Sequence, residues 1–292
     1  MENFHYYKPS RMKDVWKLLE EIDGEAVFLG GGTDLFPEMK RGSKHAIHVI
    51  DTKEISELDY VKTEKNQNVR ISANITLSRL LQTDILPKSL PLLTDALRTI
   101  GSPQIRNKAT LVGNICRASP ASDSVPPLIC LRAKIRIEDS HGFQYRDLED
   151  FFKGPGQTIL NRGEMVTEVM VPYEPVASRG IFIKLSRVER DLATVNVAVL
   201  IELASDGITC SDARIVLGAV GPTAMRMKKC EDLLVGKRIH EIPLETVGET
   251  AMASSKPIDD VRAASNYRKE MVRVLTKRAI NQTLKRLKNE GP

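Results

Sequence analysis

The chain has few cysteines and no long apolar run. Only four of its 292 residues are cysteine, and no two of them form a Cys-x-x-Cys pair. Their spacing fits neither iron–sulfur nor zinc patterns, so we expect structural thiols and no metal site. The longest apolar run, residues 197–201, is too short to cross a bilayer, and the N-terminus lacks the apolar core of a signal peptide. These absences predict a soluble, cytoplasmic protein with no membrane span.

Aromatic residues are also few, and the chain has no large excess of charge of one sign. Aromatic residues make up 5% of the chain, the net charge is +5, and the basic residues are spread out except at the C-terminus. A nucleic-acid partner is therefore not expected. The hydrophobic share of 41% and the charged share of 28% argue against disorder, and the length suits two domains.

Two glycine-containing segments are the most informative part of the chain: Leu29–Leu35 (LGGGTDL) and Ala109–Asn114 (ATLVGN). A concave run of backbone N–H groups can donate to the oxygens of a diphosphate, and glycine lets the backbone come close. Thr33 and Thr110 add hydroxyl groups, and the amide of Asn114 can donate and accept. The alternative interpretation of the three glycines is an ordinary tight turn between a strand and a helix.

Neither segment fits the common nucleotide motifs. The Rossmann pattern, Gly-x-Gly-x-x-Gly, requires a third glycine three residues after the second. With Gly30 and Gly32 as the first two glycines, that position holds Leu35. The later Gly154–Gly156 segment fails in the same way, and no phosphate-loop string is present. A dinucleotide in this chain is therefore bound by another fold.

Hydrophobic periodicity predicts an alternation of helices and strands in the first part of the chain. Helix, strand, glycine segment, helix and strand follow one another over about fifty residues, with Ser10 as the cap of the first helix. Strands and short helices continue to Pro172, where the proline-containing stretch Pro172–Arg179 indicates a linker.

Beyond the linker, four strand-like runs separated by turns predict an antiparallel sheet, and two helices follow. The basic face of the last helix is interpreted as a solvated surface. We therefore predict a first domain over residues 1–175, with subdomains over about 1–55 and 56–175. A second, α+β domain is predicted over residues 176–292.

Longer strings of the chain form a recognisable set of motifs. One is Gly101–Asn114 (GSPQIRNKATLVGN), which continues to Ser119–Asp123 (SPASD). Others are the opening Phe4–Pro9 (FHYYKP) and Phe182–Arg187 (FIKLSR) with the following Asp191–Ala193 (DLA). These strings closely resemble the flavin-binding subunit of molybdenum hydroxylases of the xanthine, carbon monoxide and nicotinate dehydrogenase type. The motifs occur in the family's order and cover nearly the whole chain.

The resemblance implies an α+β fold: a two-subdomain, PCMH-type FAD-binding domain and a smaller C-terminal domain with an antiparallel sheet and helices. It implies an oxidoreductase complex in which a large subunit holds the molybdenum cofactor and a small subunit carries two [2Fe–2S] clusters. This chain would hold FAD and pass electrons to an external acceptor such as NAD.

The resemblance also implies site residues. Lys184 is placed near the flavin N1 and C2 carbonyl, where an ammonium stabilises the reduced ring, and is the one residue with a catalytic role. Asp123 is placed at cofactor hydroxyls, although it also suits a helix cap, and Val166 at the flavin or its neighbourhood. Together with Asp123, Val166 and Lys184, the implied cofactor contacts are Leu29, Gly30, Gly31, Gly32, Thr33, Asp34, Leu35, Phe36, Ile100, Gly101, Ala109, Thr110, Gly113 and Asn114.

One position departs from the family, which commonly has glycine where this chain has Val112. A side chain there restricts φ and is expected to narrow the approach to the phosphate.

Two other interpretations of the function stay open. One is a stand-alone FAD-dependent oxidoreductase. Such enzymes often attach FAD covalently to a histidine or cysteine, and in this chain only Cys116 lies near a glycine segment. The other is a binding module that has lost the cofactor.

Overall fold

The first part of the chain forms a small parallel sheet with two helices. The computed structural model describes residues 2–64, 68–175 and 177–290. The first elements are β1 (His5–Tyr7), α1 (Met12–Glu21), β2 (Ala26–Leu29), α2 (Leu35–Arg41) and β3 (His48–Asp51). The strands lie in the order β1-β3-β2, and both pairs are parallel. The carboxyl ends of the strands therefore share one edge of the sheet, and the first glycine segment begins there.

The periodic pattern predicted these helices and the strands β2 and β3 but not the short, largely exposed strand β1. Helix α1 buries Val15 and packs Trp16 and Leu19 on the core, as its spacing predicts. The predicted cap was wrong. Arg11, not Ser10, is the N-cap residue of α1, and no side chain caps the helix.

The next part is a five-stranded antiparallel sheet covered on one face by short helices. The strands lie in the order β4-β5-β10-β6-β7. Val69, Ile71, Ile135 and Val169 of the three central strands are fully buried. The elements are β4 (Val61–Thr63), β5 (Asn68–Ser72), α3 (Leu77–Leu81), α4 (Ile85–Ser89), α5 (Pro91–Arg98), α6 (Pro103–Arg106), α7 (Leu111–Cys116), α8 (Val125–Cys130), β6 (Lys134–Asp139), β7 (Gly142–Asp147), β8 (Phe152–Gly154), β9 (Gln157–Thr158) and β10 (Met165–Pro172).

The C-terminal part is a four-stranded antiparallel sheet in the order β11-β12-β13-β14, with three helices. Its elements are β11 (Ser178–Leu185), β12 (Val195–Leu203), β13 (Cys210–Gly218), β14 (Met225–Arg226), α9 (Lys228–Glu231), α10 (Leu244–Ser254) and α11 (Ser265–Glu290). The predicted fold class, with its antiparallel sheet and helices in the C-terminal part, is confirmed.

The C-terminal sheet is packed on both faces. Ala198, Leu200 and Val216 join the core of the five-stranded sheet, whereas Val197 and Ile215 belong to a second core with α10 and α11. Burial on both faces explains the nearly continuous apolar sequence of β12. We retain the division at residues 175 and 176 as a proposal; residue 176 lies outside the described residues. Within the described ranges, no helix has the length and apolar character needed to span a bilayer.

Helix α11 carries a buried arginine within its apolar face. Arg268 is 1% exposed, and its Nη1 donates to the carbonyl oxygens of Thr194 and Ala219, each at 3.0 Å. Its Nη2 pairs with Asp260, which also binds Arg262. Burial acts to raise the pKa of Asp260, but the hydrogen bonds from these arginines hold that pKa below its usual range.

We expect Arg268→Met to lower the free energy of unfolding by about 2–4 kcal/mol, because three carbonyls, those of Thr194, Ala219 and Ala263, and the carboxylate of Asp260 lose a donor. Urea unfolding measures the change. Arg278 lies exposed on the same helix, and Arg278→Met is the matched control, with an expected effect within about 0.5 kcal/mol. Equal effects of the two substitutions would show that the buried network does not stabilise the C-terminal part.

Candidate functional site

The two glycine-containing segments touch each other through their backbones. A Cβ atom added to Gly31 would stand 2.2 Å from the carbonyl oxygen of Lys108 and 2.8 Å from the Cα of Ala109. A Cβ on Gly30 would stand 3.4 Å from Oγ1 of Thr110. Because only glycine fits at position 31, the sequence LGGGTDL permits a contact that brings the end of β2 close to the residues just before α7.

The first segment presents unused backbone donors. The N–H groups of residues 30–34 donate to no acceptor within the part of the chain that the structure describes, and neither does the hydroxyl of Thr33. Gly32 has a φ of +71°, which glycine adopts without strain. Successive unpaired N–H groups in such a turn form a concave site for an anion.

The second segment is the start of a helix rather than the loop that its glycine suggested. Thr110 is the N-cap of α7, and its Oγ1 accepts from the N–H of Gly113 at 3.0 Å. The N–H of Gly113 is therefore already used. Val112 lies in the first turn with its side chain buried in the core, and its φ is not positive. The helix thus accommodates valine where the family commonly has glycine.

Asn114 is oriented by two hydroxyl groups. Its Oδ1 accepts from Ser122 Oγ and Ser124 Oγ, both at 2.7 Å. With the oxygen occupied, the Nδ2 group is left as a donor, and it donates to no other residue among those described. Asn114 therefore adds a side-chain donor to the second segment.

Two adjoining cavities open at these segments. The first has a volume of about 690 Å³ and is lined by all but two of the predicted site residues. The second has a volume of about 950 Å³ and includes Trp16, Asn74 and Val166. Gly30, Thr110 and Gly113 line both cavities, so the glycine-containing segments lie at the junction.

Val166 and Phe36 are the two predicted residues outside the first cavity. Val166 lies in the second cavity, so the structure separates it from Lys184, with which it was expected near the flavin. Phe36 lines neither cavity; its ring lies against Gly32, where a Cβ would approach it to 3.0 Å. Leu29, Gly30, Gly31, Gly32, Thr33, Asp34, Leu35, Ile100, Gly101, Ala109, Thr110, Gly113, Asn114, Asp123 and Lys184 line the first cavity together.

Lys184 and Asp123 form an ion pair in the wall of the first cavity. Lys184 Nζ lies 2.7 Å from Asp123 Oδ2, and the two side chains are 6% and 7% exposed. Nζ also donates to the carbonyl oxygen of Thr99 at 3.0 Å. Burial raises the pKa of Asp123, although the charge of Lys184 and the hydrogen bonds to Lys184 and Asn196 oppose the rise.

Asn196 is a site residue that the sequence analysis missed. Its Nδ2 donates to Asp123 Oδ1 at 2.9 Å, so both oxygens of Asp123 are engaged by the protein. Gly218 allows this arrangement, because a Cβ there would stand 2.1 Å from Asn196 Oδ1. The sequence signal for this residue is a single asparagine in the apolar run VNVAVLI. A polar side chain buried in such a run requires a hydrogen-bond partner.

Cys116 lies beside the site, in surroundings that disfavour its thiolate. It lines both cavities, and burial raises the pKa of its thiol to about 12. The reactive thiolate is therefore scarce at neutral pH, which argues against covalent attachment of a cofactor. Within the described ranges, no group of three His, Cys, Asp or Glu residues could hold a metal ion.

Comparisons with known proteins agree with this geometry. Residues 2–174 match the model of the FAD binding domain in molybdopterin dehydrogenase, and residues 181–283 match the CO dehydrogenase flavoprotein C-terminal domain. The glyceraldehyde dehydrogenase medium chain of Sulfolobus acidocaldarius is 33% identical over 96% of this chain and 98% of that protein. The carbon monoxide dehydrogenase medium chain of Hydrogenophaga pseudoflava is 31% identical over 95% of this chain and 96% of that protein.

A solved structure of carbon monoxide dehydrogenase from Hydrogenophaga pseudoflava is also similar, with a TM-score of 0.93, 30% identity and coverage of 98% of both chains. The chain therefore belongs to the FAD-binding family of the molybdopterin dehydrogenases. The predicted resemblance is confirmed, and so are its cofactor, FAD, and its class, a subunit of oxidoreductase complexes.

Gly31→Ala tests the backbone contact. We expect it to weaken FAD binding at least tenfold, because the added methyl group forces the two segments apart, and such overpacking costs about 1–3 kcal/mol. Equilibrium titration with FAD measures the loss. Gly154→Ala is the matched control, since a Cβ there meets its nearest neighbour at an ordinary 3.6 Å. Wild-type affinity in Gly31→Ala would mean that FAD binding does not depend on the contact.

Proposed function

We propose that this chain is the FAD-bearing electron-transfer subunit of a multi-subunit molybdenum hydroxylase. In this proposal a partner subunit delivers electrons from [2Fe–2S] clusters, and they leave through FAD to an external acceptor such as NAD. The observation that carries the proposal is the contact of Gly31 with Lys108 and Ala109, which joins both predicted segments at the boundary of two cavities.

The residues present fit a flavin dinucleotide. The N–H groups of residues 30–34, the hydroxyl of Thr33 and the amide of Asn114 are neutral donors of the kind a diphosphate accepts. A diphosphate at the junction leaves one cavity for each half of the molecule. We assign the flavin half to the cavity with Lys184 and the adenosine half to the cavity with Trp16 and Val166.

Lys184 is the residue of this chain that we assign to the redox chemistry, which FAD supplies when bound. Two of the three ammonium hydrogens are directed to Thr99 O and Asp123 Oδ2, which fixes the position of Nζ in the cavity wall. A fixed positive group beside the flavin favours the anionic reduced ring. Asp123 and Asn196 act on the cofactor through Lys184, as positioning residues.

The iron–sulfur clusters are assigned to a partner because this chain has no cysteine set for them. A [2Fe–2S] cluster takes four cysteine ligands. The four cysteines of this chain are dispersed, and Cys130, Cys210 and Cys230 are buried. The names of the relatives as medium chains and subunits also support a heteromeric complex with a small iron–sulfur subunit and a large molybdenum subunit.

FAD titration of the purified chain tests the proposal. Trp16 is the only tryptophan of the sequence and lines the second cavity. We expect its emission to fall as FAD binds, because the flavin absorbs in that range, and to reach a plateau at one FAD per chain. If the chain took up no FAD, the result would favour the other interpretation, a binding module that has lost the cofactor.

The FAD-loaded chain alone should oxidise no organic substrate, whereas its flavin should be reduced when a reduced iron–sulfur subunit is added. Stopped-flow absorbance at the flavin band measures the reduction. Turnover of an organic substrate by the isolated chain would instead identify a stand-alone oxidoreductase.

Lys184→Met tests the redox assignment. We expect FAD to bind still, with a potential lower by about 30 mV or more, which equals about 1.4 kcal/mol for a two-electron couple. Loss of the ammonium removes the charge that stabilises the reduced flavin. Spectroelectrochemistry measures the shift. Lys134→Met is the control, because Lys134 is exposed on β6 and pairs with Asp147. An unchanged potential in Lys184→Met would remove Lys184 from the mechanism.

A further inference from the structure

We propose that Glu38 and Arg117 form an ion pair across the first cavity that slows the release of FAD. This inference rests on the cofactor placement in the proposed function. Arg117 Nη2 lies 2.5 Å from Glu38 Oε1, and both residues line the first cavity. We call this pair the clasp.

The clasp joins the two walls of the cavity. Glu38 lies on α2, four residues after Asp34 in the first glycine segment. Arg117 is the C-cap of α7, four residues after Gly113 in the second segment. Glu38 therefore stands one turn beyond Asp34, the last of the N–H groups assigned to the diphosphate, and Arg117 stands three residues beyond Asn114. Residues three or four apart are neighbours on a helix face.

Arg117 lies beside the turn of the β8–β9 hairpin. Its Nη1 lies 3.5 Å from the position of a Cβ on Gly156, and the N–H of Gly156 donates to the carbonyl oxygen of Ala118 at 2.9 Å. The Glu38 and Arg117 side chains are 18% and 36% exposed. Partial burial favours a persistent pair over one of the fluctuating pairs common on surfaces.

A bound diphosphate between these walls leaves only if the walls separate or the cofactor passes the clasp. The pair links elements from different subdomains, so breaking it should make separation easier. It should therefore control the rate of FAD release, with a smaller effect on the uptake rate. This role belongs to positioning residues, since the glycine segments and Asn114 supply the donors.

The experiment measures FAD release from the loaded protein by the recovery of Trp16 emission after dilution. Glu38→Gln and Arg117→Gln should each speed release about fivefold, as expected for a partly exposed ion pair. The double variant should be no faster than either single variant, because all three lack the same contact. Higher salt should speed release from the wild type but not from the double variant.

Asp59→Asn is the matched control. It breaks the Arg79–Asp59 pair, which has the same 2.5 Å separation but does not line either cavity, and it should release FAD at the wild-type rate. The melting temperatures of the FAD-free variants should match that of the wild type. If Arg117→Gln does not fold, Glu38→Gln and its lost salt dependence decide the outcome.

Three results would overturn the clasp: unchanged release in Glu38→Gln, additive effects in the double variant, or slower release in Glu38→Gln. The last would mean that Glu38 withholds Arg117 from the diphosphate rather than closing the cavity. Failure of the wild-type chain to bind FAD would instead overturn the cofactor placement. The two failures are therefore distinguishable.

Discussion

The site depends on the close approach of Gly31 to the backbone of Lys108 and Ala109. A side chain at position 31 would occupy the space of a backbone carbonyl, so the approach requires glycine. The contact joins the first glycine-containing segment, whose N–H groups at residues 30–34 find no acceptor among the described residues, to the residues just before α7. Both cavities meet at this point, and the position of every donor assigned to the diphosphate follows from it.

The Lys184 end of the site depends on a second contact, between the C-terminal sheet and the loop before α8. Lys184 and Asn196 are directly paired residues of β11 and β12, and both reach Asp123. Neighbouring strands thus present a cation and an amide to the two oxygens of one carboxylate. The apolar packing of β12 on both faces fixes this strand pair, so the placement of Lys184 depends on the packing of the C-terminal part on the FAD-binding part.

Local sequence predicted many of the elements but not their contacts. Apolar spacing predicted α1, which buries Val15. The start of α7 was not predicted, because a six-residue helix containing glycine has little periodicity, and its signal is one threonine cap. The pairing of Asp123 with Lys184 joins residues 61 positions apart, and no local pattern encodes such a contact.

The cations at the first cavity are of two kinds. Lys44, Arg117 and Lys184 line this cavity, and each is paired with a carboxylate. Arg41 and Arg190 also line it, and both are exposed. In the proposed placement, the diphosphate accepts from the N–H groups of the first segment and the amide of Asn114, and the fixed directions of these donors select for the shape of the ligand as well as for its charge. A free nucleotide has no second half and would fill only one of the two cavities. Filling both cavities therefore favours a dinucleotide.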